Sequence, residues 1–225
     1  MMWMAIDTSG DRCSVALDTG SGVLLRETPA PRQHARSVAP FMQELLVEAG
    51  ANRSDGVAGA RAALAGIVVV AGPGSYTGLR IGVSSAKGLS FALGVPLYAV
   101  STLDYLLDAA TQRTDGVARP AILAVERARR GELHVGGPGL ADQVMADGDF
   151  REHLATEHAT LVVRDTRLAD ELIGEHFVTA DRVLVVQPDA RNALRIVRSA
   201  PHSYLVPDMP SFEPFYLKPF VSGSA

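Results

Sequence analysis

A single cysteine in 225 residues, Cys13, rules out an intrachain disulfide and any zinc cluster built on cysteines. It reads as a small apolar strand residue, not a reactive thiol. A basic surplus is also missing: 21 Lys and Arg stand against 25 Asp and Glu, a formal net charge of −4. A chain that gripped RNA unaided would need such a surplus to neutralise phosphates, so any nucleic acid is expected to be held mainly by a partner. No apolar run reaches bilayer-spanning length. The opening Met1-Met2-Trp3-Met4-Ala5-Ile6-Asp7 has no basic leader and meets an acid early, unlike a secretory signal. The expectation is a soluble, cytoplasmic protein with no membrane attachment. The histidines at 34, 134, 153, 158, 176 and 202 include no pair four apart, the helical spacing at which two can share one metal. His153 and His158, five apart, would diverge by about 140° on a helix. No metal site is predicted, and 152–158 reads as a solvated helix face.

What is present is an ordinary globular composition, 47% hydrophobic and 20% charged, long enough for one large domain or two compact ones. Strands are predicted at 3–8, 13–17 and 23–28, separated by the turn residues Ser9-Gly10-Asp11 and Thr19-Gly20-Ser21-Gly22. Val38, Phe41, Met42, Leu45, Leu46 and Ala49 then follow helical spacing up to Gly50. A polar stretch at 52–59 reads as a loop. The run 64–71, with Ile67-Val68-Val69-Val70, suits a central strand covered on both faces. A helix ending at Gly94, a strand at 96–100 and a helix at 103–110 complete a mixed α/β unit.

The second half repeats this order loosely. Strands are predicted at 121–125 and 133–136 around the turn 127–131, then a helix near 150–157 and a strand at 160–163. A helix at 169–177, a strand at 183–186 and a helix capped by Asp189 follow. Prolines 201, 207, 210, 214 and 219 predict an irregular tail. The expected organisation is two subdomains with mixed sheets, 1–112 and 113–225, the second smaller and eroded.

Gly72-Pro73-Gly74-Ser75-Tyr76-Thr77-Gly78-Leu79-Arg80-Ile81-Gly82 joins a strand to a helix through glycines and hydroxyls. Such a turn can aim backbone N–H groups at an anion, which would make Gly72, Gly74, Ser75, Thr77 and Gly78 a nucleotide or phosphate loop. Alternatively it is a tight turn needing glycine dihedrals, because the P-loop lysine pattern is absent. Lys87 reads as a solvated or snorkelling side chain. Arg127, Arg129 and Arg130, beside Glu126 and Glu132, read as a solvated hairpin that could also meet a partner or an RNA phosphate. Gly78, Gly82 and Ala86 form a strip of small residues on one helix face, with Val83 beside it. Phe41 and Leu45 lie on the full apolar stripe of the first helix. Both faces either cover the chain's own sheet or meet another helix pair.

Together with Ala5-Ile6-Asp7-Thr8-Ser9, Arg32-Gln33-His34-Ala35 and Val125-Glu126-Arg127-Ala128-Arg129-Arg130-Gly131-Glu132-Leu133, that glycine segment resembles the TsaB (YeaZ) family. The likeness is strong over 3–108, thin over 120–135, and slight beyond except at Tyr216-Leu217-Lys218. It implies a duplicated actin/Hsp70/sugar-kinase-like, ribonuclease H-like fold. The implied role is that of a non-catalytic scaffold that pairs with TsaD, the related subunit holding metal and transfer site. The reaction would be threonylcarbamoyl transfer to adenosine next to the tRNA anticodon. TsaE and a TsaC-type enzyme would be further participants, and tRNA would be met only through the complex. No cofactor is expected for the chain itself, with ATP or ADP reserved for the assembled complex; alone, a homodimer stays open. The resemblance favours the interface reading for part of Phe41, Leu45, Gly78, Gly82, Val83 and Ala86. It also makes Asp7 the position where actin-like ATPases keep a carboxylate for nucleotide-bound metal, against the simpler reading of a turn residue bonding to Ser9 or Gly10. The rival function is a free-standing ATPase or kinase using Asp7 and the 72–78 loop.

Overall fold

The computed structural model describes residues 1–28, 34–50, 59, 63–113 and 121–216. The expected loop at 52–58, Arg32 and Gln33, and Leu217 and Lys218 lie outside the described residues. Two compact units emerge: Met1–Thr102 with Asp189–Pro214, and Leu103–Pro188.

In the first unit, β1 (Met2–Asp7), β2 (Ser14–Asp18), β3 (Val23–Glu27), β4 (Leu64–Gly72) and β5 (Leu97–Ser101) form one sheet in the order β3-β2-β1-β4-β5. The first three strands are antiparallel neighbours, and β4 and β5 run parallel to β1. Ile67 to Ala71 are all buried, as a strand covered on both faces requires. Helix α1 (His34–Glu48) starts before its apolar periodicity does and carries Pro40 within it. Helix α2 (Tyr76–Leu93) is set at both ends by local chemistry. Ser75 caps its start by accepting from the Gly78 N–H, and Gly94 ends it at φ 63°, a left-handed conformation that favours glycine.

The second unit carries β6 (Ile122–Arg129), β7 (Glu132–Gly137), β8 (Leu140–Ala146), β9 (Thr160–Val163) and β10 (Val183–Val185), in the order β10-β9-β6-β7-β8. Relabelled from β6 onward, this is the first unit's order again, with the same antiparallel and parallel pairings. Strand β8 is absent from the sequence expectation. It is an edge strand with no clean alternation, joined to β7 by a turn at Pro138-Gly139, where Gly139 has φ 83°. The second copy is therefore complete in strand order. Its erosion lies in length: β9 and β10 have four and three residues against nine in β4. Helix α4 (Asp147–Thr156) begins three residues before the expected 150–157. Helix α5 (Thr166–Gly174) is displaced in the same way from 169–177, because Asp165 caps it by accepting from the Arg167 N–H.

The third helix of each copy packs in the other unit. Helix α3 (Thr102–Arg113) follows β5, yet its Leu103, Leu106 and Ala110 join Ala124, Val162 and Val186 in a core of the second unit. Helix α6 (Ala190–Ser199) follows β10 but belongs to the first unit. The Ala190 N–H donates to Ser14 Oγ at 2.9 Å, and Arg198 pairs with Asp18. Leu194, Ile196 and Val197 are buried, each contributing roughly 1.5–3 kcal/mol. A split at 112/113 thus places 189–214 with the wrong unit; apolar periodicity gives a helix its inner face but not which sheet it covers. The tail is also less irregular than its prolines suggest. After α7 (Pro201–Tyr204), Leu205 bridges to Tyr98 and the Val206 N–H donates to the Leu97 carbonyl at 2.9 Å, covering the β5 edge. Two mixed five-stranded sheets of one order are the duplicated ribonuclease H-like, actin-like fold.

Candidate functional site

Strand β1 delivers Asp7, Thr8 and Ser9 to the sheet end from which the 72–78 loop also leaves. Asp7 is only 5% exposed, and its Oδ1 accepts from the Ser9 N–H at 2.8 Å and the Ser9 hydroxyl at 2.6 Å. These bonds are those that the turn-residue reading of Asp7 expects. The loop is tied to the same turn, since the Ser75 N–H donates to the Ser9 carbonyl at 2.8 Å. Ser75 Oγ is engaged by the Gly78 N–H at 3.3 Å, and the Gly78 carbonyl accepts from the buried Thr8 hydroxyl at 2.7 Å. Gly72, at φ 122°, occupies backbone space that side chains resist, and its peptide to Pro73 is cis. Gly74, at φ 158°, lies near the extended limit, so the demand for glycine rests on Gly72 instead. Gly74, Ser75 and Thr77 are exposed.

The small-residue strip has an occupant already. A Cβ on Gly78 would overlap the Thr8 carbonyl oxygen, and one on Gly82 would overlap Thr8 Oγ1. Val83 and Ala86 are buried beside them, as is Leu45 on α1, while Phe41 is half-buried. Gly78, Gly82, Val83, Ala86 and Leu45 are thus buried within the chain itself, whereas Phe41 keeps part of its surface exposed. The outward face of α2 is the other side: Thr77, Arg80, Ser84, Gly88 and Phe91 are exposed, and Ile81 is half-buried. Phe91 is 79% exposed, and open space surrounds the position where a Gly88 Cβ would stand. Val47 on α1 is 54% exposed. The spacing of 84, 88 and 91 could have signalled this face, but the glycine-rich strip drew the reading to the opposite one.

Other residues singled out by sequence have definite places. Lys87 is half-buried, and its ammonium donates to the Pro210 and Phe212 carbonyls, each at 2.9 Å, pinning the tail. Burial, reinforced by the negative charge of Asp7, pushes the Cys13 thiol up to about 12, so it is unreactive at neutral pH. Arg127 is held by Asp147 at 3.3 Å and Glu171 at 2.6 Å. His153 lies in α4, but His158 falls beyond the end of that helix, so the two do not share one. Among the described residues, no three His, Cys, Asp or Glu side chains come together as a metal would require. Among the same residues, no helix is long and apolar enough to cross a membrane.

Comparison with known proteins adds identity to this geometry. The family model described as TsaD, tRNA N6-adenosine threonylcarbamoyltransferase, matches residues 22–195. The tRNA threonylcarbamoyladenosine biosynthesis protein TsaB of Escherichia coli is 34% identical over 134 residues, 60% of this chain and 53% of that one. Its namesake in Bacillus subtilis is 36% identical over 187 residues, 78% of this chain and 76% of that one. The chain thus spans about half the length of the first relative and three quarters of the second. The solved structure of YeaZ from Pseudomonas aeruginosa superposes with a TM-score of 0.67 at 25% identity, covering 96% of this chain and 99% of that one. The chain belongs to the TsaB family of tRNA threonylcarbamoyladenosine biosynthesis proteins.

Proposed function

We propose that this protein is a non-catalytic, cytoplasmic subunit that pairs with a TsaD-type transferase during threonylcarbamoyl modification of tRNA adenosine. One observation carries the reading: the groups that would hold phosphate or metal at the end of β1 are engaged with one another. Asp7 Oδ1 takes two bonds from Ser9, Ser75 Oγ takes the Gly78 N–H, and the Gly78 carbonyl takes Thr8. A loop built to receive nucleotide would keep its N–H groups and hydroxyls directed outward. The helix leaving that loop turns Phe91 and Gly88 to solvent, an aromatic anchor beside a place where another helix backbone can come close. Pairing would use this outward face of α2 with the exposed part of α1. TsaE would join the pair, ATP or ADP would be a matter for the assembly, and a homodimer would form by the same face when the partner is absent.

Reconstitution tests this. The purified chain should form no threonylcarbamoyladenosine on tRNA and turn over no ATP. Addition of it to TsaD, TsaE and the adenylate-forming enzyme should raise modification well above the level reached without it. Transfer by the chain alone from threonylcarbamoyl-adenylate, or steady ATP hydrolysis without partners, would defeat the assignment and favour the free-standing enzyme.

A further inference from the structure

We infer that the tip of the β6–β7 hairpin, Arg129 and Arg130, is a phosphate contact for the RNA substrate of the assembled complex; this rests on the function proposed above. The chain is acidic overall, and most of its described arginines are spent on neighbours. Arg12 pairs with Glu27, Arg26 with Glu44 and Glu48, Arg164 with Glu126, and Arg191 with Asp189. Arg151 and Arg182 donate to backbone carbonyls. Arg129 and Arg130 are the only adjacent arginines in the sequence, both are exposed, and neither guanidinium has an ion-pair or hydrogen-bond partner among the described residues. Glu132 lies opposite Arg129 in the ladder but makes no ion pair with it, so the two neighbouring guanidiniums repel each other, an arrangement that an anion relieves.

The hairpin holds them firmly. Gly131, at φ 80°, makes the turn, and its carbonyl accepts from the Asp147 N–H at 3.0 Å, tying the tip to the start of α4. Two residues back, Arg127 is clamped by Asp147 and Glu171 and reaches the Glu132 carbonyl at 3.4 Å. That clamp does two things. It fixes the base of the hairpin, and it neutralises two nearby carboxylates that would otherwise oppose an approaching phosphate. Guanidinium forks suit phosphate oxygens, and a fixed mount reduces the ordering cost of binding. Two contacts are too few to hold RNA alone. They suit a subunit that adds to a grip supplied mainly by its partner.

The test uses the complete complex with tRNA, measuring affinity across a range of KCl concentrations. Replacing both residues (Arg129→Gln with Arg130→Gln) should lower the slope of log affinity against log salt by about 2 and weaken binding about tenfold or more at moderate salt. The melting temperature and capture of the TsaD-type partner should be unchanged. The pair Arg129→Lys with Arg130→Lys should keep the slope. An unchanged slope and affinity in the glutamine variant would overturn the inference. Loss of partner capture in that variant would also overturn it, by making the tip a protein contact. Failure of the unaltered chain to pair at all would instead strike the proposed function, so the two failures can be told apart.

Discussion

Substituting alanine at Gly82 and at Gly88, six residues apart on one helix, should shift stability in opposite directions. In both positions alanine gains about 1 kcal/mol of helix propensity over glycine. At Gly88 nothing lies within 4 Å of the new methyl, so that gain should appear almost whole, as a stabilisation of about 0.5–1 kcal/mol. At Gly82 the methyl overlaps Thr8 Oγ1, whose proton is committed to the Gly78 carbonyl at 2.7 Å. Thr8 is fully buried at the end of β1 and has nowhere to retreat. Overpacking costs about 1–3 kcal/mol, and a buried hydroxyl driven from its acceptor costs a further 1–3 kcal/mol or so. After the propensity gain, Gly82→Ala should be destabilised by about 1–5 kcal/mol. Urea unfolding followed by fluorescence suits the measurement. The single tryptophan, Trp3, sits in β1 with its ring 5.0 Å from that of Tyr98, so it reports on this sheet. A double-mutant cycle adds a second reading: with Thr8→Ala in place, the cost of Gly82→Ala should shrink by about 0.5–3 kcal/mol. If Gly82→Ala proved as stable as Gly88→Ala, the close approach of α2 to Thr8 would be refuted, and the strip would again be open to a partner.

Three further outcomes are expected. Gly88→Arg should keep the melting temperature within a few degrees yet abolish capture of the TsaD-type partner, since it fills the closest approach on the outward face with an unpaired charge; a folded variant that still pairs would move the contact elsewhere. Gly72→Ala should cost about 1–3 kcal/mol because of φ 122°, while Gly74→Ala at φ 158° should be nearly neutral, and thermal melts that reversed this ranking would refute it. The native Cys13 thiol holds its proton up to about pH 12, whereas the unfolded thiol releases it near 9.0. The unfolded state therefore binds fewer protons in that window, and stability should fall as pH rises through it, by at most about 1.4 kcal/mol per pH unit. Cys13→Ala should remove that component, and an identical slope in the variant would show that the thiol is not its source.

The elements were largely legible because local chemistry dictates them. Asp189 caps a helix where the sequence places a cap, Gly94 ends α2, and the valine run of β4 is the covered central strand. What escaped reading depends on partners distant in the chain. Strand β8 is stabilised from one side only and carries no strong period. The apolar stripe of α6 does not say that it lies on β1 and β2 and not on the sheet it follows. Lys87 looks like any surface lysine until Pro210 and Phe212, more than 120 positions later, present their carbonyls. The strip at Gly78 and Gly82 is a related case. Small residues at helical spacing state that something comes close, and only the fold shows that the close neighbour is Thr8.

That same closeness accounts for the segment carrying the family resemblance. Gly72 meets a dihedral demand, Ser75 caps α2 and bonds to the Ser9 turn, Gly78 and Gly82 make way for Thr8, and Leu79 is buried in the core. At these positions residue type follows from how a strand end, a turn and a helix must pack. Side-chain chemistry toward a ligand is not needed to explain them. A glycine-rich turn of this type is therefore compatible with the non-catalytic role proposed above. Phosphate binding would need the turn's polar groups to be released, whereas here Asp7, Ser9, Ser75 and Thr8 close upon each other. The closed turn in turn fixes the direction in which α2 leaves the sheet, and with it the placement of Gly88 and Phe91. Under the pairing proposed above, the glycine motif would serve partner binding through the rigidity of a helix mount.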